Sequence, residues 1–355
     1  MAELSIDSRI RYVKYVLFYS AGLIATVARK SCTEMSKLLP VSHDTLNHAL
    51  DIEKNFAQVI STKLRSIIKK ESLRSGPGWL IIDDTLVEKL FAKCLSLIGY
   101  HKDTSSGSTT KGYCIVVIAW TNNWVTIPLA LTYWTPKKVQ LEGYKTKIQL
   151  SQELIAAYYN PEYCVGVLLD GLYASREMMD FLNAREINYE MRMASNRVIT
   201  LGNGEKVKIR DLSTLRPQRN ARSRTQKLNW NGLDVFITSQ IRINRHGERS
   251  IVFLVSNYEA NSKSHVEAYD RRWKIEMIFR TVKQHLGLEE CSSKSRDKQT
   301  IHIHYVFLCY AYLECERVAK GYENVESVIK YYQALKSPQQ KMLINRLEQF
   351  FGAYA

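Results

Sequence analysis

The segment "WLIIDD" (residues 79–84) is a short run of large apolar side chains that ends in two carboxylates. It follows "RSGPGW" (74–79), in which Gly-Pro-Gly breaks any continuing helix and marks a boundary. A short apolar run bounded by turn residues predicts a buried strand. A strand that ends in Asp presents its carboxylate at the carboxyl edge of the sheet, where open α/β sheets build their sites.

The segments that follow repeat this pattern. "YCIVVIAW" (113–120) and "VTIPLALTYW" (125–134) flank "TNN" as a hairpin, and "YCVGVLLD" (163–170) is another apolar run that ends in a carboxylate. Two segments with helical spacing, 145–159 and 175–186, come before and after this last run. The order strand, hairpin, helix, strand, helix, strand predicts an α/β core.

Residues 1–75 carry helical patterning, and "TEMSKLLPVSHDTLNHAL" (33–50) is typical of a helix-turn-helix. A short amphipathic helix leads to a turn at Pro40-Val41-Ser42, and a second helix begins with Ser42 as its N-cap. This motif predicts a helix that docks in a DNA major groove. An ordinary helical hairpin fits the same pattern and stays open as the alternative.

Residues 194–262 form a zone of short strand-like runs separated by Gly and Asn turns. Within it, segment 206–227 holds eight cations in 22 residues and one acid, Asp211. Such a run predicts phosphate contacts, because the cations would repel one another without an anionic partner; a solvated loop is the alternative. The predicted contacts are Lys206, Lys208, Arg210, Arg216, Arg219, Arg222, Arg224 and Lys227.

The C-terminal part is predicted to be helical. Residues 301–319 are apolar on most faces of a helix, which is expected to pack under the sheet, and the last 30 residues predict one or two amphipathic helices. The expected units are 1–75 (helical, DNA-binding), 76–193 (first part of the core), 194–262 (β-rich basic insertion), 263–320 (second part of the core) and 321–355 (C-terminal helices).

The charge of the chain indicates a polyanionic partner. The 50 Lys and Arg exceed the 35 Asp and Glu by +15, which favours nucleic acid over an anionic membrane surface. No apolar run reaches the roughly 18 to 20 residues that span a bilayer. The seven cysteines are odd in number and form no CxxC pair, which favours a reducing compartment over a disulfide framework or a zinc ribbon.

Two predicted strands end in acids, at Asp83 or Asp84 and at Asp170. Phosphodiester hydrolysis and transfer place charge on the attacking and the leaving oxygen, and two divalent metals held by carboxylates are a common solution. Magnesium prefers such hard oxygen ligands. One Asp after a strand is often a turn or helix cap, but two in this order favour a metal site. His101 and His246 have no partner at ligand spacing.

The segment "YDRRWKIEMIFRTVK" (269–283) is patterned like one helix and supplies a third acid. At about 100° per residue, a stripe about 80° wide contains Tyr269, Arg272, Glu276, Arg280 and Lys283. The predicted buried side contains Ile275, Ile278, Phe279, Val282 and Leu286. One acid among cations suits a metal ligand beside a DNA backbone, with the cations on phosphates. Salt bridges from Arg272 and Arg280 to Glu276 on a solvated face are the alternative.

The spacing of Tyr269, Arg272, Glu276 and Lys283 (Y-x2-R-x3-E-x6-K) resembles the signature of the IS4-type DDE transposases of bacterial and archaeal insertion sequences. "IIDDT", "TTKGYCIVVIAW" and "VLLDGLYAS" resemble, in order, the family's first aspartate region, the strand pair after it and its second aspartate. The β-rich zone resembles the insertion that the family carries between its second Asp and its Glu.

The resemblance implies an RNase H-like core in which Asp83, Asp170 and Glu276 hold two Mg²⁺ or Mn²⁺ ions. Such enzymes nick the transposon end with water and join the freed 3′ hydroxyl to target DNA without a covalent protein intermediate. The family's Asp-x-Thr pattern selects Asp83, whereas a strand slipped by one residue would select Asp84. The implied protein acts as a homodimer on paired inverted repeats and target DNA, in the cytoplasm of a prokaryote at the nucleoid.

Many IS4-type enzymes pass through a DNA hairpin, which requires a base flipped onto an aromatic ring. Trp230 is the first candidate for this role and Trp273 the reserve, and a place in the hydrophobic core is the favoured alternative for each. Two other functions stay open: a transposase-derived DNA-binding regulator without chemistry, and a metal-dependent endonuclease that cuts without joining. The three acids speak against the regulator, because a pure binder gains nothing from carboxylates near phosphate. The sequence does not separate the endonuclease from a transposase.

Overall fold

A nine-stranded mixed β-sheet is the centre of the protein, which is described here from a computed structural model. The structure describes residues 6–51, 56–90, 92, 95–96, 98–102, 109–201, 204–218, 221–335 and 340–352. The strands are β1 (Gly78–Glu88), β2 (Gly99–Lys102), β3 (Thr109–Thr121), β4 (Thr126–Trp134), β5 (Cys164–Leu169), β6 (Asn188–Met193), β7 (Val198–Thr200), β8 (Lys206–Lys208), β9 (Ser223–Trp230), β10 (Leu233–Ile243) and β11 (Arg249–Ser256). The helices are α1 (Ile6–Ala25), α2 (Cys32–Ser36), α3 (His43–His48), α4 (Phe56–Ser75), α5 (Lys147–Tyr158), α6 (Arg176–Asn183), α7 (Ser262–Asp270), α8 (Trp273–Gln284), α9 (Arg296–Lys320), α10 (Val325–Gln333) and α11 (Gln340–Gly352).

The core strands follow the order of an RNase H-like sheet. β3 pairs antiparallel with β1 on one side and with β4 on the other, and β2 pairs with the start of β3. β5 lies parallel to β1, and β6 lies parallel to β5. The order β4-β3-β1-β5-β6 therefore consists of three antiparallel strands followed by two parallel ones. This confirms the predicted α/β fold class.

The β-rich zone extends the main sheet. β11 pairs antiparallel with β6, and β10 and β9 follow in antiparallel order, so three strands of the expected insertion continue the core sheet. β7 and β8 pair with each other in a separate two-stranded sheet. The zone contains several strands, as expected. The sheet continues across the predicted boundary after residue 193, because a strand of the zone pairs with a strand of the core. Periodicity predicts strands, whereas the partner of an outer strand is set by contacts distant in sequence.

The N-terminal and C-terminal helices pack together around α9. α1 contacts α9, α10 and α11, and the Tyr19 hydroxyl lies 2.9 Å from Nδ1 of the buried His302 in α9. α9 also contacts β4, as expected for a helix under the sheet. The helix pair predicted at 33–50 is present as α2 and α3, and the Ser42 side chain caps α3 by accepting from the Thr45 backbone N–H. Within the described ranges, no helix has the length and apolar character needed to cross a bilayer.

The segment predicted as one helix at 269–283 consists of the end of α7, a turn at 271–272, and α8. The turn is made by backbone hydrogen bonds of the i to i−3 type: Arg272 N–H donates to Tyr269, and Ile275 N–H donates to Arg272. Such a turn advances about 120° per residue instead of 100°, which shifts the angles of the wheel across it. The backbone of Arg271 and Arg272 stays right-handed helical, and Arg272 still contacts both Tyr269 and Glu276. Neither Gly nor Pro marks the break in the sequence.

Candidate active site

The place where the parallel pairing of β1 and β5 stops brings the first two acids together; β1 itself does not end at Asp83 or Asp84 as predicted, because its antiparallel pairing with β3 continues to Glu88. Trp79 through Ile82 are buried, and the parallel pairing of the two strands ends with Ile82 opposite Leu169. The next residue on each strand is an acid, Asp83 on β1 and Asp170 after β5. Residues that are paired in register on neighbouring strands point to the same face of a sheet. Asp83 and Asp170 each come one residue after the last pair, so their carboxyl groups lie on the same face.

Arg272 joins the third acid to the first. Its Nη1 donates to Oδ2 of Asp83 at 2.8 Å, and its Nη2 donates to Oε1 of Glu276 at 2.5 Å. The Arg272 side chain is only 12% exposed, and its guanidinium lies 5.7 Å from the centre of the Tyr269 ring. A single planar guanidinium therefore holds carboxylates from β1 and α8 side by side.

The electrostatics of the site show a deficit of positive charge. The pKa of Asp83 is raised to about 7, chiefly by burial; Arg272 opposes the rise, and the neighbouring charges of Asp84 and Asp170 contribute to it. Burial also raises the pKa of the Tyr269 hydroxyl to about 12, with Arg272 lowering it and Asp170 raising it. Asp83, Asp170 and Tyr269 are thus close enough to influence one another, and one guanidinium does not offset the burial of the carboxylate.

Asp84 has a different set of partners from Asp83. Its carboxylate accepts from Lys147 Nζ at 2.7 Å, from the Tyr173 hydroxyl at 3.2 Å and from the Cys114 thiol at 3.5 Å. Adjacent strand residues point to opposite faces, which explains why the two carboxylates separate. The geometry favours Asp83 over Asp84 as the partner of Asp170 and Glu276, because only Asp83 shares Arg272 with Glu276.

The remaining cations of the predicted stripe lie further from the acids. Arg280 is exposed and its Nη2 lies 2.9 Å from the Met277 sulfur, while Lys283 Nζ lies 3.4 Å from a carboxylate oxygen of Glu289.

The Arg272–Glu276 salt bridge that the sequence offered as an alternative is present, but it is largely buried and extends to Asp83. The predicted apolar side is confirmed: the buried residues are Ile275, Ile278, Phe279, Val282 and Leu286.

The donor set suits hard divalent cations. Carboxylate oxygens are the ligands that Mg²⁺ and Mn²⁺ prefer, and the guanidinium between Asp83 and Glu276 stands where a cation is favoured. In the part of the chain that the structure describes, no three His, Cys, Asp or Glu side chains are arranged to hold one ion jointly. The residues present therefore fit such an ion by chemistry, and Arg272 has to move for Asp83 and Glu276 to share it.

The predicted DNA-binding residues of the β-rich zone are mostly on the surface. Arg224 is partly buried, Arg219 lies outside the described residues, and the exposed ones are Lys206, Lys208, Arg210, Arg216, Arg222 and Lys227. Two of them have acidic neighbours, since Lys227 pairs with Asp234 at 3.1 Å and Arg210 lies 3.8 Å from Asp211.

Trp230 does not present a surface for a flipped base. Its side chain is 4% exposed at the end of β9, where it belongs to the hydrophobic core, so the structure contradicts its assignment as the first candidate. Trp273, the reserve candidate, is 58% exposed and directly follows Arg272 in the sequence, so its ring is accessible.

Three residues near the acids were missed by the sequence analysis. Lys147 and Tyr173 contact Asp84, and the charge of Arg192 on β6 influences the Tyr269 hydroxyl. Tyr173 lies three residues after Asp170 in "VLLDGLYAS", and that proximity was the signal for it. Lys147 and Arg192 carry no local signal, because their neighbours in space come from distant segments.

Comparison with known families gives two matches. Residues 7–230 match a family model described as DDE superfamily endonuclease, and residues 150–312 match one described as transposase DDE domain. The first match covers more than half of the chain and includes Asp83 and Asp170, and the second includes Asp170 and Glu276. No curated protein matches the chain.

Proposed function

The chain belongs to the DDE superfamily of endonucleases, and we propose that it is a DNA transposase of the IS4 type, which cleaves transposon ends and joins their 3′ hydroxyls to target DNA. The observation that carries the proposal is the bridge from Asp83 through Arg272 to Glu276. Asp170 follows the strand that pairs with β1, which supports assigning it to the same site as Asp83 and Glu276.

We assign Asp83, Asp170 and Glu276 as the residues that hold two Mg²⁺ or Mn²⁺ ions. Bound there, the ions supply positive charge for the attacking and leaving oxygens of a phosphodiester. The chain itself supplies these three carboxylates. It also keeps Arg272 between two of them, with the Tyr269 ring against the guanidinium. With these carboxylates paired to another cation, the Arg272 fork would be available to bind a DNA phosphate through two N–H groups.

DNA contacts are proposed on both sides of the acids. Arg280 and Lys283 continue along α8, and the exposed cations of the β-rich zone supply further phosphate contacts. Trp273 is the residue we assign to stack on an unpaired base, because its ring is exposed next to Arg272. The α2–α3 pair is proposed to contact the terminal repeats.

Joining two ends in one event requires two active sites, so the proposed active form is a homodimer on paired ends. The proposed place of action is the nucleoid in a prokaryotic cytoplasm. An endonuclease that cuts without joining is the second candidate, because the description of the longer family match names that activity. Cleavage and joining use the same acids, so only the products distinguish the two functions.

The test uses DNA that bears the inverted repeats flanking the coding sequence, with Mg²⁺ and a supercoiled target. The wild-type protein is expected to cleave at the repeat end and to form joined products, and Glu276→Gln is expected to lose both while it still binds the DNA. Glu267→Gln, an exposed site on α7 that is 3.7 Å from Lys263, is the matched control and should keep both activities.

Each outcome has a distinct meaning. Cleavage without joined products in the wild type supports the endonuclease. Cleavage that persists in Glu276→Gln shows that the site is assigned wrongly. DNA binding without cleavage in the wild type, at any Mg²⁺ or Mn²⁺ concentration, supports the regulator that the sequence left open.

A further inference from the structure

The Asp84 carboxylate lies on the face of β1 opposite Asp83, and both of its oxygens accept hydrogen bonds. Its Oδ1 accepts from the Tyr173 hydroxyl at 3.2 Å, and its Oδ2 accepts from Lys147 at 2.7 Å and from the Cys114 thiol at 3.5 Å. An ionised carboxylate accepts only, and both oxygens here already have donors within the protein. These contacts direct the Asp84 carboxylate toward α5 and the turn after β5.

Tyr173 connects this carboxylate to the second acid of the site. Its backbone N–H donates to the carbonyl of Asp170 at 3.0 Å and closes the turn that follows β5. Its ring is fully buried, and the phenol O–H of a buried tyrosine needs an acceptor, which Asp84 provides. The backbone at Asp170 is therefore tied through Tyr173 to the residue next to Asp83.

Lys147 completes the arrangement by neutralising Asp84. It is the first residue of α5, which Thr146 and Gln149 start with a reciprocal pair of capping hydrogen bonds. Its Nζ lies 4.9 Å from the centre of the Trp134 ring, so the ammonium group is held between an aromatic face and the carboxylate. This cation offsets the charge of Asp84 beside Asp83, where two unpaired carboxylates would repel each other.

We propose that Asp84 is a positioning residue that fixes Asp170 relative to Asp83 through Tyr173, and that it does not hold the metal. The proposal rests on the proposed function, in which Asp83 and Asp170 bind the same pair of ions. The tandem acids on β1 then have separate tasks: Asp83 faces Arg272 and Glu276, and Asp84 holds the turn that carries Asp170.

The decisive measurement is direct binding of Mn²⁺ to the free protein without DNA, by electron paramagnetic resonance or calorimetry. Tyr173→Phe keeps the ring and removes only the hydroxyl, and it is expected to weaken Mn²⁺ binding about 10-fold, within the 10- to 100-fold range for residues that orient metal ligands. Asp84→Asn is expected to fall in the same range. The double variant should bind Mn²⁺ no more weakly than the single variant with the lower affinity, because both changes break the same connection.

Two controls separate positioning from other roles. Tyr113→Phe removes another buried tyrosine donor, one that bonds the Ser96 carbonyl at 3.1 Å, and it should leave Mn²⁺ affinity unchanged. Asp83→Asn removes an assigned ligand and should abolish the binding that depends on it. A thermal unfolding curve for each variant ensures that binding is measured on folded protein.

The results distinguish this inference from the function on which it rests. Loss of all Mn²⁺ binding in Asp84→Asn together with normal binding in Tyr173→Phe makes Asp84 a ligand and overturns the inference. If Asp84→Asn and Tyr173→Phe bind Mn²⁺ normally while Asp83→Asn does not bind it, the inference is overturned and the proposed function stands. A wild-type protein that binds no Mn²⁺ overturns both.

Discussion

The guanidinium of Arg272 lies 2.5 Å from the carboxylate of Glu276, one helical turn away, and its other nitrogen reaches Asp83 on the neighbouring strand. Arg272 lies in the turn between α7 and α8, so its position depends on where one helix ends and the next begins. Asp83 and Glu276 are thus held together by a cation of the protein itself.

Replacement of Arg272 by Gln should destabilise the metal-free protein and increase its response to Mg²⁺. Breaking a buried ion pair typically costs 3 to 5 kcal/mol, and we expect about 2 to 3 kcal/mol because solvent screens Glu276, which is 31% exposed. Mg²⁺ should restore more stability to the variant than to the wild type. Urea unfolding with and without Mg²⁺ measures both effects. Arg280→Gln, on the exposed side of α8, should change stability by less than about 0.5 kcal/mol.

The same experiment has a clear opposite outcome. If Arg272→Gln unfolds at the wild-type urea concentration and gains no more from Mg²⁺ than the wild type does, then Arg272 does not hold the acids together in solution.

Asp83 should make the metal-free protein less stable as the pH rises. Its pKa is raised from 3.8 to about 7 by burial, so between these values the folded state binds more protons than the unfolded state. Its contribution to stability is therefore fully present below about pH 4 and is lost as the pH rises through 7. The free energy of unfolding of the wild type minus that of Asp83→Asn, measured from pH 4 to 8, should fall across this window. A difference that stays flat would show that the carboxyl group titrates normally.

The buried apolar runs that precede Asp83 and Asp170 were predictable because their signals are local, although β1 continues past Asp83 to Glu88. Strands buried on both faces give continuous apolar runs, and Asp83 and Asp170 end two of them. The buried side of α8 was equally predictable, since Ile275 and Ile278 follow the helical period. Patterns that a single element creates by itself survive in the folded protein.

The features that the sequence did not reveal depend on contacts between distant segments. The turn at Arg272 has no Gly or Pro, and this residue is bonded to Asp83, 189 residues away in the sequence. The burial of Trp230 follows from the way β9 joins the main sheet through β10 and β11, and the role of Asp84 follows from Tyr173. Helical wheels and strand patterns contain none of this information.

A buried hydrogen-bonded pair should anchor α7, the helix that precedes the Arg272 turn. Glu190 on β6 and His265 on α7 are both fully buried and hydrogen-bonded to each other, and the Tyr258 hydroxyl donates to the same Glu190 oxygen at 2.7 Å. Burial raises the pKa of Glu190. His265→Leu should cost about 1 to 3 kcal/mol, because it leaves a buried acid with one donor.

The double variant Glu190→Met/His265→Leu tests the origin of that cost. It should be more stable than His265→Leu alone, because it removes the acid that the single change leaves unpaired. Urea unfolding of the three proteins measures the coupling. A double variant that loses the sum of the two single effects would show that Glu190 and His265 act independently.

The exposed cations of the β-rich zone should differ in their contribution to DNA binding according to their acidic neighbours. Arg222→Gln should reduce the slope of log K against log salt concentration by about 0.9, the value for one phosphate contact on duplex DNA. Lys227→Gln should reduce it by less, because Asp234 at 3.1 Å already matches part of that charge. Binding to a labelled duplex across a range of NaCl concentrations gives both slopes. Equal slopes for Arg222→Gln and the wild type would place Arg222 away from the DNA. A larger reduction of the slope in Lys227→Gln than in Arg222→Gln would mean that DNA displaces Asp234 from Lys227.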